Sequence, residues 1–121
     1  MQLHESAEMY LETIYLLTKQ HNEVRSIDVA EHMGYSKPSV SRAVGLLKQG
    51  GFVVTDGDGF LSLTDEGMRR AEKIFERHTV LQRLLIHMGV SEATAAEDAC
   101  KIEHVLSDES LSAIKQFLDN T

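Results

Sequence analysis

SIDVAEHMGYSKPSVSRAVGLLKQGGFVVTDGDGFLSLT, residues 26–64, changes its hydrophobic period once, and the order of its segments decides the fold. In 27–33, Ile27, Val29, Ala30 and Met33 are read as the buried face of a short helix. Ser26 is placed to cap its start, and Gly34 follows its end, where a left-handed cap favours glycine. A second helix starts near Lys37. Pro38 sits in its first turn, where a missing N–H is tolerated, and the Gly50-Gly51 pair stops it. Val40, Val44 and Leu47 form the face that packs on the preceding helix. The pattern then becomes strand-like: 52–55 and 60–64 are β-rich, and the DGDG turn at 56–59 joins them as a hairpin. Helix, turn, helix, hairpin is the order of a winged helix-turn-helix.

Upstream, Ala7, Tyr10, Leu11, Ile14 and Leu17 recur at three- and four-residue steps and predict a helix over 5–20, broken by the polar HNEVR at 21–25. Downstream, Thr64 or Asp65 caps a long helix to about 88, ended by Gly89. Ser91 caps another helix running through His104–Leu106, and Ser110 a short last one to about Leu118. The fold class is therefore mainly α. A winged helix-turn-helix with a small β-hairpin wing is expected over 1–72, followed by a second, α-helical domain over 73–121.

Composition narrows the function. The 121 residues carry a net charge of −7, which argues against indiscriminate nucleic-acid binding, yet 34–55 contains Lys37, Arg42 and Lys48 and no acid. The helix from Lys37 turns Ser39, Ser41, Arg42, Gly45, Lys48 and Gln49 away from its apolar face. With Ser36 and Lys37 at its start, these are donors suited to phosphates and base edges in a major groove of double-stranded DNA. The hairpin tip is acidic and is a weak candidate for phosphate contact. One cysteine, Cys100, excludes an internal disulfide. No apolar run approaches the roughly 20 residues of a membrane span. The opening MQLHESAEMY lacks the features of a signal peptide, so a cytoplasmic location is expected.

Cys100, Glu103 and His104 stand at i, i+3 and i+4, so on a helix they share a side. Thiolate, carboxylate and imidazole together suit a borderline-to-soft divalent ion. Met9 and Glu12 share a face of the first helix, and His78 lies on the long one. Each residue alone has an ordinary reading. Cys100 and Met9 fit a core, Glu12 and Glu103 a solvated surface, and His78 a surface histidine. His4, His21, His32 and His87 carry no interpretable spacing and are expected at the surface. The apolar residues Ile74, Phe75, Val80, Leu81, Leu84, Leu85, Ile86, Met88 and Val90 exceed what one small chain easily hides, which predicts a two-fold homodimer.

The segments EMYLETIYLL (8–17), VAEHMGYSKPSVSRAVGLLKQGGFV (29–53), LTDEGMRRAEKIFERH (63–78) and DACKIEHVLSD (98–108) resemble the diphtheria-toxin-repressor family of iron- and manganese-dependent regulators, over about Glu8 to Ser110. The resemblance implies a primary metal site of Met9, Cys100, Glu103 and His104, and a second that uses His78. The chain departs from the iron branch at Gln82, where that branch has glutamate, and at Ala96, where it has histidine. It is also expected to be a short form without the SH3-like domain. Glu12 matches a ligand of the manganese branch, which has aspartate in place of Met9 and glutamate in place of Cys100. A second ion is expected to draw on His78, Glu12 or Glu103, with Glu97 weaker. Sulfur ligands favour iron(II) over manganese(II), and cobalt, nickel or zinc are expected to bind in vitro. The expected function is a metal-activated repressor of metal-uptake genes, acting on a near-palindromic operator. The alternative is a metal-independent winged-helix regulator that senses a small ligand. No general-base partner stands at a recognisable spacing, so an enzyme is not expected.

Overall fold

The structure, a computed structural model, describes residues 5–121; His4 lies outside the described residues. The chain divides into two compact units, 1–72 and 73–121.

The first unit contains α1 (Glu5–Gln20), α2 (Ser26–Met33), α3 (Lys37–Gln49), β1 (Val53–Thr55), β2 (Leu61–Leu63) and the start of α4 (Asp65–His87). Leu11, Ile14, Val24, Val29, Val40, Leu47, Phe52 and Val53 are the fully closed centre of its core. The strands pair antiparallel, Val53 with Leu63 and Thr55 with Leu61. The Leu61 N–H also donates to the Val24 carbonyl at 2.7 Å, which ties the wing to the α1–α2 connection. Gly34 caps α2 at φ 71°, a conformation that favours glycine. Gly67 has a different necessity: a Cβ there would lie 2.0 Å from the Phe52 carbonyl oxygen, so the first turn of α4 approaches the wing backbone only without a side chain.

Two details of α2 differ from the sequence reading. Arg25, not Ser26, is the N-cap, because Asp28 Oδ2 accepts the Arg25 N–H at 2.8 Å and fixes the start one residue earlier. Ile27 is 41% exposed rather than buried. It stands two residues before Val29, roughly 200° around the helix from it, and so turns away from the core face.

The second unit contains the rest of α4, α5 (Glu92–Ile102) and α6 (Asp108–Asp119). Ile74, Val80, Leu81, Ala95, Ala99 and Leu111 are its buried apolar residues. A Lys115–Glu76 ion pair and the His87 ring, edge-on to Phe117 at 5.9 Å, join α6 to α4. Helix α5 ends at Ile102, short of the expected His104–Leu106, and α6 begins earlier than expected because Ser107, not Ser110, caps it. The Ser107 hydroxyl accepts the Ser110 N–H at 3.1 Å, so Ser110 lies inside the helix. Ile74, Val80 and Leu81 turn inward, whereas Phe75, Ile86 and Met88 remain exposed, together with Val105 and Phe117. No helix among the described residues is long and apolar enough to cross a membrane.

Candidate metal centre and nucleic-acid face

In the second unit, α4 and the end of α5 bring three expected residues together. The Glu103 side chain is buried, with a relative exposure of 1% for the residue. Its Oε2 lies 3.0 Å from His78 Nδ1, and its Oε1 lies 3.2 Å from His104 Nε2. The His104 side chain is also buried, and His78 is half-buried with its ring stacked on Phe75. Glu103 is thus not a solvated carboxylate, nor is His78 a plain surface histidine.

The local chain explains the placement. Ala95 and Ala99 are buried in the body of α5, two turns and one turn before Glu103. Glu103 keeps helical angles (φ −57°, ψ −27°), and its N–H donates to the Ala99 carbonyl at 2.9 Å. The carboxylate therefore follows the inward side of a helix that has just ended. Cys100 is half-buried in the last turn of α5, one turn before His104. Glu97, the weaker candidate, is exposed, and Gln82 and Ala96 are half-buried.

A carboxylate this deep is costly to keep charged unless its charge is answered. The His78 Nδ1 hydrogen bond to Oε2 answers part of it. Two nitrogen donors and a carboxylate, with a thiol one turn away, are also a donor set for a first-row divalent ion. The residues therefore fit a transition metal. In the first unit, Glu12 is buried on α1, and Met9 is half-buried there, its carbonyl accepting the Thr13 hydroxyl at 2.9 Å.

The expected DNA-facing residues all lie at or on α3. Ser36, Lys37, Ser41, Arg42 and Lys48 are exposed, and Ser39 is half-buried. Ser36 serves as N-cap: its hydroxyl accepts the Ser39 N–H at 3.3 Å and lies 2.9 Å from the Ser39 hydroxyl. These two serines are therefore engaged in holding the helix start, and Lys37, Arg42 and Lys48 are the long donors facing solvent. His21, His32 and His87 are exposed.

Sequence reasoning missed two arginines. Arg25 Nε donates to the Asp58 carbonyl at the wing tip at 3.1 Å, and its guanidinium carbon lies 4.4 Å from the centre of the Phe60 ring. Arg77, beside His78, reaches the 103–108 segment. Neither leaves a local signal, because each acts on chain 25 or more residues away.

Two family models cover the chain: the iron dependent repressor N-terminal DNA binding domain over residues 2–61, and the iron dependent repressor metal binding and dimerisation domain over 64–121. An uncharacterized HTH-type transcriptional regulator of Methanocaldococcus jannaschii is 34% identical over 117 residues, covering 95% of this chain and 94% of that protein. The diphtheria toxin repressor of Corynebacterium glutamicum is 33% identical over 117 residues, 96% of this chain but 51% of that protein. The structure of the manganese regulator SloR superposes with a TM-score of 0.82 at 27% identity, covering all of this chain and 56% of that one. The chain thus spans nearly the whole of one relative and about half of the others.

Proposed function

Because this chain belongs to the iron-dependent repressor family, a family of metal-responsive DNA-binding regulators, we propose that it is a homodimeric repressor activated by a divalent transition metal. The ligands are Met9, Cys100, Glu103 and His104, with Glu12 and His78 available to a second ion. Iron(II) is the favoured metal and manganese(II) the alternative, and the regulated genes are those of metal uptake. The observation that carries this reading is the buried Glu103 carboxylate with an imidazole nitrogen at each oxygen.

The roles divide by chemistry. Glu103 supplies negative charge in a place where only a cation answers it fully. His104 and Cys100 add softer donors that favour iron over manganese. His78 orients the Glu103 carboxylate through its Nδ1. Met9 and Glu12 with Cys100, Glu103 and His104 would hold the ion, whose charge would neutralise the carboxylates and thiolate and so favour one arrangement of the DNA-reading head. Such an ion acts only through its preference for that arrangement. Lys37, Arg42 and Lys48 then meet the DNA, Arg42 at base edges and the lysines at phosphates. The exposed Phe75, Ile86, Met88 and Phe117 form the surface that a second copy covers. The two recognition helices of a dimer fit half-sites about one helical turn apart, or a multiple of it, in a near-palindromic operator.

The test is an anaerobic gel shift on a near-palindromic operator with and without iron(II) or manganese(II). Metal is expected to tighten binding at least about tenfold, roughly 1.4 kcal/mol of coupling, and His104→Ala is expected to abolish that gain. Equal affinity with and without metal would point instead to a metal-independent regulator.

A further inference from the structure

Between α5 and α6 the chain makes a short turn, residues 103–107, that carries Glu103 and His104. The N–H groups of Val105 and Leu106 donate to the Ile102 carbonyl, at 3.0 and 3.1 Å. Two of its carbonyls are taken by a single side chain. Arg77 Nη1 donates to the Leu106 carbonyl and lies 3.4 Å from that of Glu103, and Nη2 lies 2.5 Å from Asp108 Oδ1 in the first turn of α6. The Arg77 side chain is 15% exposed, so this fork is largely sheltered.

The geometry points to Arg77 as a positioning residue for the metal centre: it holds the main chain on both sides of His104 and so sets where the Glu103 and His104 side chains stand. The inference rests on the metal reading above. Glu103 and Leu106 bracket His104 and Val105, so pinning both carbonyls fixes the His104 backbone between them. The same turn of α4 presents His78, which meets the Glu103 carboxylate. Helix α4 therefore grips Glu103 twice, by carbonyl through Arg77 and by carboxylate through His78. Guanidinium suits the task because its planar fork spans several acceptors in a fixed arrangement, whereas an ammonium is a single point. Groups that orient ligands in this way typically affect metal affinity 10- to 100-fold when removed.

The experiment is an anaerobic cobalt(II) titration of the full chain, reading affinity and the visible d–d and thiolate-to-metal bands, for the natural protein and for Arg77→Met, Arg77→Lys and Asp108→Asn. Arg77→Met is expected to weaken cobalt about 10- to 100-fold and to shift or broaden the bands. Arg77→Lys, which keeps the charge but not the fork, is expected to recover little of that loss. Asp108→Asn removes only the ion pair and should stay within about twofold of the natural protein, the carbonyl contacts being intact. Natural affinity and bands in Arg77→Met would overturn the proposal. So would an equal loss in Asp108→Asn, which would assign the effect to the docking of α6. If Arg77→Met does not fold, Arg77→Lys decides, with unchanged cobalt binding counting against the fork. Absence of cobalt bands in the natural protein would overturn the metal reading itself, a result distinct from any failure of Arg77.

Discussion

The largest fully buried side chains of the 1–72 unit are apolar, led by Phe52, Leu11, Ile14 and Leu47; in the 73–121 unit the Glu103 carboxylate and the His104 imidazole are buried as deeply. The first unit has a closed apolar core, buries one acid, Glu12, and leaves Lys37, Arg42 and Lys48 exposed on α3. The second keeps a more deeply buried acid, Glu103, and both units expose large apolar side chains, the most exposed being Met88 at 69% and Val105 at 71% in the second. Burial of apolar surface is the dominant favourable term in folding, and a buried charge opposes it. The contrast teaches that the first unit rests on apolar packing, whereas the second holds a deeply buried acid whose cost a bound cation would offset.

The most severe way to test that contrast is Leu47→Ala, which opens a cavity in the closed core. It is expected to cost about 2–5 kcal/mol of stability, as buried leucines do. Thermal or urea unfolding of the metal-free protein checks it. A loss under about 1 kcal/mol would mean that the first core is looser than its burial implies. Metal loading comes next. At a metal concentration a hundredfold above Kd it should add about 2.7 kcal/mol. In Glu103→Gln, that gain should vanish while the metal-free protein stays folded, since the change removes a buried charge and keeps the shape of the side chain. Unfolding curves with and without chelator read both results. If Glu103→Gln keeps the full metal gain, Glu103 is a structural acid rather than a ligand.

A smaller effect sharpens the account of the first unit. Ser36→Ala removes the cap of α3 and should cost about 1 kcal/mol. It should also weaken operator binding, because the helix start that carries Lys37 frays. Metal affinity measured without DNA should be unchanged. A stability loss with unaltered DNA binding would separate the cap from recognition.

These expectations differ in how far they were readable from the amino-acid sequence. The start and spacing of α3, the Gly34 cap, the Ser91 cap and the DGDG hairpin were legible because each rests on residues a few positions apart. Glu103 and His104 were legible as neighbours for the same reason, with Cys100 one turn earlier on α5. The end of α5 was not. The segment KIEHVL continues a plausible helical pattern, and the chain leaves the helix after Ile102 where carbonyls of the following turn are taken by Arg77, more than 20 residues away. The His78–Glu103 contact spans 25 residues, and no local spacing encodes it. Ile27 was misread because four apolar residues in a short helix were assigned to one face when only Val29, Ala30 and Met33 share it.

The least costly change acts at the wing of the first unit. Arg25 begins α2, and its side chain crosses to the wing, donating to the Asp58 carbonyl at 3.1 Å and lying over the Phe60 ring at 4.4 Å. The wing tip is otherwise held from within, by Asp56 Oδ1 accepting the N–H groups of Asp58 and Phe60 at 2.9 and 3.0 Å. Arg25→Ala should therefore leave the hairpin formed and cost only about 0.5–1 kcal/mol, the usual worth of an exposed cation–π contact. Its effect on DNA should be larger in pattern than in size. A wing no longer tied to α2 should lose footprint protection at the flanks of the operator, while contacts centred on Arg42 persist. Hydroxyl-radical footprinting at matched occupancy distinguishes this from a general loss of affinity. If protection falls evenly across the site, Arg25 contributes charge rather than wing position. If the flanks alone open, the rigidity of the first unit extends from its apolar core to the surface that touches DNA, through one arginine that leaves no trace in the hydrophobic pattern.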